Sequence, residues 1–390
     1  MSRAHTAVLA VGLGCGQLVA WGVLFYSIAV LAEPMRRELE LTPAQVFGCF
    51  TGSLLIAALA APMAGRLVDR LGGRTTLAAS ALAGAASFAM LARAGALRDL
   101  ALAWAAAGIA MALGLYDPCF AAVGQVAKDS FRKVVTIVTL IGGFASTVCW
   151  PLTALLLRLH GWRGTCELYA IALAACAVLY LGVLPGPARS RVPRSVAPAV
   201  RAASWTPSAR RQARLLAWAF AGAACVGGSM SAHIIEILLG LNVTAERALW
   251  IASSIGVLQT VGRVVDLAVN ARRSPIDVGL FTFGALALAM ALLAGAGPFP
   301  ALVYGSIALY GLANGLVTIA KATIPTELWG FEKVGERLGT FSGPSLAARA
   351  VAPLAFALLR AEGLFIALLA LATMASASLL TYLYALRHRR

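Results

Sequence analysis

Few side chains in this sequence offer chemistry, and most of them stand inside long apolar runs. Arg349 lies in Ser345-Leu346-Ala347-Ala348-Arg349-Ala350-Val351, far from either end of its run. An arginine at the centre of a membrane helix costs about 2.5–3.5 kcal/mol even on permissive insertion scales, so a retained one is a functional candidate. Its guanidinium can grip a carboxylate through two hydrogen bonds. An internal ion pair, or bonds to backbone carbonyls, would account for it equally well. His233 and Glu236 stand at i and i+3 on one helix face. A histidine titrates near neutral pH, so the pair is a candidate proton carrier. Both fall toward one end of their run, where a plain interfacial role is also open. Gln17 with Trp21, and Tyr310 with Asn314, are i,i+4 pairs that share a face, suited to line a polar cavity or to pack between helices.

The elements that must position these residues follow from composition. Apolar residues make up 60% of the 390 and charged residues only 12%, against about a quarter charged in soluble domains. Apolar blocks fall at about 7–32, 44–64, 75–93, 99–122, 134–157 and 165–185. Six more fall at about 215–239, 246–268, 276–296, 299–320, 339–360 and 362–386. Each is long enough to cross a hydrocarbon core of about 30 Å, where a helix satisfies its own backbone. The fold class expected is all-α integral membrane, with twelve transmembrane helices in two six-helix bundles, over 1–185 and 214–390. The first block is too long for the h-region of a signal peptide and reads as a retained helix.

Between the bundles, 186–213 holds four prolines and six arginines with no acidic residue, and reads as a basic cytoplasmic linker. Basic clusters such as Arg66, Arg70 and Arg74, then Lys128, Arg132 and Lys133, then Arg272 and Arg273, and a tail with Arg387, Arg389 and Arg390 all fall on one side of the expected topology. The positive-inside rule then puts both termini in the cytoplasm. The formal charge of +16 is thus a topology signal, and no nucleic-acid partner is expected, since the aromatic interleaving of such surfaces is missing. Seven cysteines without a C-x-x-C pair make neither a disulfide framework nor a zinc site. With no metal cluster, nucleophile triad or phosphate loop, neither a catalytic residue nor a cofactor is expected.

After the second block comes Gly65-Arg66-Leu67-Val68-Asp69-Arg70-Leu71-Gly72-Gly73-Arg74. This resembles the loop signature of the major facilitator superfamily, departing from it at Gly73, where a basic residue is common. After the eighth block, Gly262-Arg263-Val264-Val265-Asp266 repeats its first part, as duplicated transporter halves would. The resemblance implies that Gly65, Asp69, Arg70, Gly72 and Arg74, with Gly262, Arg263 and Asp266, are gating and structural residues that latch the cytoplasmic side. Asp117, in Tyr116-Asp117-Pro118, is a candidate partner for one of these arginines. It also implies that helices one, four, seven and ten surround a central cavity, and that the transport unit is a monomer.

Trp21-Gly22, Phe25-Tyr26 and Pro34 look like the first helix of the monocarboxylate and oxalate/formate branch, and a cation in helix eleven is similar to the exchangers of that branch. No acidic residue precedes Trp21, helix one has no embedded lysine, and helix eight has no mid-depth cation unless Arg263 reaches inward. The superfamily resemblance thus implies secondary transport; the substrate does not follow from the branch, and the expectation of a small organic anion, moved across an inner membrane by proton coupling or anion exchange, rests on Arg349. Arg349, Gln17, Trp21, Tyr310 and Asn314 would hold the solute, and His233 and Glu236 would be the proton candidates. The rival reading is proton-coupled efflux of drugs or other amphipathic compounds. Against it, 102–115 carries no arginine, and no close Gly-Pro signature follows Gly142-Gly143.

Overall fold

The computed structural model describes residues 3–186, 206–269 and 273–387. Most of the expected linker (187–205), Arg272, Arg389 and Arg390 lie outside the described residues. Among the described residues every regular element is helical: α1 (Arg3–Trp21), a π turn (Gly22–Tyr26), α2 (Ile28–Glu38), α3 (Pro43–Leu71), α4 (Gly73–Ala92), α5 (Leu97–Gly114), α6 (Tyr116–Val126), α7 (Phe131–Gly142) and α8 (Ala145–Val183) come first. There follow α9 (Pro207–Gly240), α10 (Ala245–Val269), α11 (Pro275–Ala294), α12 (Leu302–Trp329), α13 (Val334–Glu362) and α14 (Leu364–Arg387). Residues 207–213, expected as the end of the linker, form the first turns of α9, which Thr206 caps from its side chain with Pro207 next. Capping boxes, Thr42 with Gln45 and Ser274 with Asp277, each followed by a proline, start α3 and α11, the local chemistry expected of helix N-termini.

Among the described residues, eleven helical runs are long and apolar enough to cross a membrane, and one, Lys128–Val183, has 56 residues. At 1.5 Å per residue a straight helix of that length would reach about 84 Å, nearly three bilayer cores. It does not run straight. Gly161 takes φ 67°, ψ 177°, a conformation open to glycine alone at no steric cost. The chain doubles back there: Thr153, eight residues before the glycine, meets Tyr169, eight after it, with the two hydroxyl oxygens 2.5 Å apart. This run therefore makes two crossings, bringing eleven to twelve.

The chain divides into two compact units, Met1–Val192 together with Trp329–Gly339, and Pro193–Leu328 together with Thr340–Arg390. The segment joining α12 to α13, with the first turn of α13, thus clusters with the first unit. At the α8 hairpin of that unit, Trp162 Nε1 donates to Glu38 at 2.5 Å. Arg163 donates to Glu38 and to the carbonyls of Ala92 and Ala94, each at 2.8 Å. One guanidinium thereby ties the ends of α2 and α4 to the turn in α8.

Candidate functional site

In the second unit, α9, α12 and α13 converge on Gly227 and Gly228. A Cβ at Gly227 would come within 3.3 Å of Asn314 Oδ1, and one at Gly228 within 3.0 Å of Arg349 O. At Gly228 the lack of a side chain lets the backbone of α9 come close to that of α13. Pro353 has no N–H to give the carbonyl four residues earlier, so Arg349 O lacks its usual helical donor at this contact. Ser229 Oγ donates to Ala352 O at 3.2 Å. Tyr310 is 2% exposed; its hydroxyl engages Ser231, with Arg349 within electrostatic reach. The structure thus brings Arg349, Tyr310 and Asn314 together around one stretch of α9. Arg349 is half-buried, and among the described residues no side chain or carbonyl forms a hydrogen bond or ion pair with its guanidinium.

One turn further along α9, His233 Nδ1 faces Glu236 Oε2 at 2.9 Å, and its Nε2 faces Pro353 O at 3.0 Å. Glu236 also pairs with Arg360 at 3.6 Å, and the imidazole lies on Phe356 with centroids 4.9 Å apart. Both ring nitrogens therefore face oxygen acceptors when Glu236 is ionised. A neutral imidazole can donate to only one of them, an imidazolium to both. The contact with Pro353 O ties α9 to the proline of α13.

Gln17 and Trp21 belong to the first unit and meet the break between α5 and α6. Pro118 leaves Gly114 O without a helical donor, and the fully buried Gln17 supplies one from Nε2 at 2.7 Å. This is the physical reason helix four can break at Leu115, which adopts an extended ψ. Trp21 packs on Tyr116 just past the break, with centroids 5.1 Å apart. Asp117 lies in the first turn of α6, where a carboxylate favours the helix dipole.

The loop signature has a specific geometry. Asp69 accepts from the backbone amides of Gly335 and Glu336, at 3.0 and 2.8 Å, at the start of α13. Gly65, one turn earlier, packs backbone to backbone on Gly335; a Cβ on either would overlap the other's carbonyl oxygen. Gly339 comes against Ala61 O in the same stripe. The strap between α12 and α13 is held from within by Arg337, which donates to the carbonyls of Trp329 and Gly330. Gly72, at φ 85°, turns the chain into α4. Arg70 is exposed and Arg74 half-buried. Gly73, the departure from the signature, has a steric reason, since a Cβ there would overlap Ala122.

In the second unit, Gly262 abuts the carbonyl of Leu312. Arg263 is 6% exposed and donates to Gly315 O at 3.3 Å, and Asp266 is 2% exposed. The charged residues of the repeated motif are therefore buried, whereas Arg66 and Arg70 of the first copy are exposed.

Several residues in these clusters escaped sequence reasoning. Gln125 bridges the turn between α3 and α4, accepting from Gly73 N at 3.0 Å and donating to Val68 O at 2.8 Å; nothing in its neighbourhood marks it out. Pro353 was legible in principle, because a proline frees the carbonyl four residues before it, and that residue is Arg349.

Two units of packed apolar helices, with charged and amide side chains held at mid-helix, define a polytopic membrane protein. Residues 13–353 match the sequence profile of the Major Facilitator Superfamily, and the chain belongs to that family. No curated protein matches it closely by sequence. Among solved structures it is similar to the human organic anion transporter MFSD10 (TETRAN), at 17% identity and a TM-score of 0.73, over 98% of this chain and 99% of that one. It is similar also to the proton:xylose symporter XylE, at 13% identity and a TM-score of 0.74, over 99% and 96%. For the E. coli fucose:proton symporter FucP the values are 16% and 0.67, over 98% and 99%. At these identities the likeness is one of fold. Membership of the family makes the chain a multi-pass secondary transporter and not an enzyme.

Proposed function

We propose that this transporter carries a small organic anion, a carboxylate, by alternating access, and that His233 with Glu236 carries the coupling proton. The observation behind the reading is Arg349. It is a half-buried guanidinium, midway along an apolar helix, without a protein acceptor among the described residues. Such a charge is costly to hold in a membrane unless something pairs with it, and a carboxylate is the partner whose geometry a guanidinium fits with two bonds. Asn314, beside the same glycines, supplies neutral donors and an acceptor for the rest of the polar group. The two-sided setting of His233, with an oxygen acceptor at each ring nitrogen, supports proton coupling over exchange of one anion for another, because only an imidazolium donates to both. One structure sharing the fold is an organic anion transporter, so the architecture accommodates that class of cargo. Gln17 and Trp21 complete the proposed solute contacts, and Asp69, Arg70, Arg74 and Asp117 the gating set. The loop charges support an inner-membrane protein with both termini in the cytoplasm, working as a monomer.

The test is a ligand-induced thermal shift on purified protein, wild type and Arg349→Ala, across small carboxylates and lipophilic cations. A ligand of the folded state raises the melting temperature by mass action. Stabilisation by a carboxylate, lost in a still-folded Arg349→Ala, is the expected result. Stabilisation by cations alone, equal in both proteins, would overturn the anion reading in favour of efflux.

A further inference from the structure

The first unit contains an aromatic cluster that the preceding reading uses only in part. Trp21 ends α1, and the next five residues form a π turn. With i→i+5 bonding such a turn is wider than an α-helical one, so Phe25 and Tyr26 straddle the position below Trp21. Their ring centroids lie 5.3 and 6.4 Å from the indole. Tyr116 of α6 covers the indole at 5.1 Å, Phe50 of α3 meets Phe25 at 5.6 Å, and Trp150 of α8 meets Tyr26 at 5.8 Å. Trp150 Nε1 is occupied, donating to Tyr26 O at 3.1 Å. Trp21 Nε1 is shielded from solvent and has no acceptor among the described residues.

An indole nitrogen can only donate, and a buried donor left unmade costs about 1–3 kcal/mol. Trp104 has an unpartnered Nε1 too, but its ring is fully enclosed at 0% exposure. Trp21 differs, because its neighbours Phe25, Tyr26 and Phe50 are half-open and Trp150 is 45% exposed. π turns inside helices are frequent at functional sites, and this one assembles three of the rings.

We infer that this cluster is a ring-binding subsite. It takes the planar, unsaturated body of the transported solute against its half-open rings, and Trp21 Nε1 donates to an acceptor carried on that body. The inference rests on the reading of the chain as an organic anion transporter and narrows it to aromatic or conjugated carboxylates. A saturated ring of equal size lacks the π face, and a short aliphatic acid leaves the cluster empty.

Binding to the purified full-length protein would be measured by titration calorimetry with benzoate, cyclohexanecarboxylate and nicotinate, whose ring nitrogen supplies the acceptor. Aromatic pairing beyond area burial corresponds to a preference for benzoate over cyclohexanecarboxylate of about two- to tenfold, with nicotinate tighter still. Trp21→Leu should bring the benzoate preference close to one. Trp21→Phe, which keeps a ring and loses the N–H, should retain that preference and lose the advantage of nicotinate over benzoate. Equal binding of benzoate and cyclohexanecarboxylate by the wild type, or a preference unchanged in Trp21→Leu, overturns the subsite. Should Trp21→Leu fail to fold, a nicotinate advantage surviving in Trp21→Phe overturns the assigned donor. If no carboxylate binds at all, the anion reading fails, and benzamide against cyclohexanecarboxamide then reads the ring subsite without a charge, by the same ratios.

Discussion

Replacing Asp69 with asparagine tests what holds the strap between α12 and α13. The carboxylate receives two amides, Gly335 N at 3.0 Å and Glu336 N at 2.8 Å, from the first turn of α13. Hydrogen bonds to a charged group contribute about 1.5–3 kcal/mol each, and an anion at a helix N-terminus adds about 0.3–1 kcal/mol. Asparagine keeps one acceptor oxygen and turns an NH2 group toward the other amide, so one bond is lost and the second becomes neutral. The loss should be about 2–4 kcal/mol, an increase of roughly 30- to 700-fold in the population of the released strap. Amide hydrogen exchange over 331–340 in purified protein reads that population. Asp69→Asn should speed exchange there by a factor in that range and leave α4 and α5 unchanged. It should also cripple transport while expression stays normal. Unchanged exchange at Gly335 and Glu336 would refute the assignment of the carboxylate as the fastener.

Three further outcomes are expected. Gly73→Lys restores the residue type common in the family signature, yet should destabilise the protein by about 1–3 kcal/mol through overpacking against Ala122, seen as a lowered melting temperature. Gln17→Leu keeps the volume and strands Gly114 O without its donor, which should cost about 1–3 kcal/mol in denaturant unfolding; a neutral result would show that Gly114 O finds another donor. Arg163→Ala removes the bonds to Glu38, Ala92 O and Ala94 O. With the guanidinium about a third exposed, the expected loss is about 1–3 kcal/mol, and limited proteolysis should cut first near Gly161.

The membrane-spanning blocks were legible because a bilayer leaves a chain little choice. Twenty apolar residues must cross as a helix, and charge placement orders the loops. Two breaks inside those blocks were not legible from hydropathy, since Leu115 and the π turn both sit in continuous apolar sequence, whereas the turn at Gly161 falls in the polar gap between the blocks ending at 157 and starting at 165. What marks the first is the offset between Pro118 and Gly114, which needs a donor found 97 residues earlier, at Gln17. Gly73 looked like a lapse in the signature until the position of Ala122 explained it. Arg263 was left open in the sequence, because depth along a helix does not say which face a side chain takes; its bond to Gly315 O places it inside the second unit.

The contact of Gly65 with Gly335 has one more implication. A joint between two bare backbones contains no side chains that must settle into rotamers on closing or be freed on opening. Ordinary packed helices freeze long side chains at about 0.5–2 kcal/mol each, and their interdigitated surfaces have to be prised apart. Here neither toll applies. On the gating role proposed for this signature, fastening and release would recur with little hysteresis, and the strength of the joint is concentrated in the pair of amides that Asp69 holds.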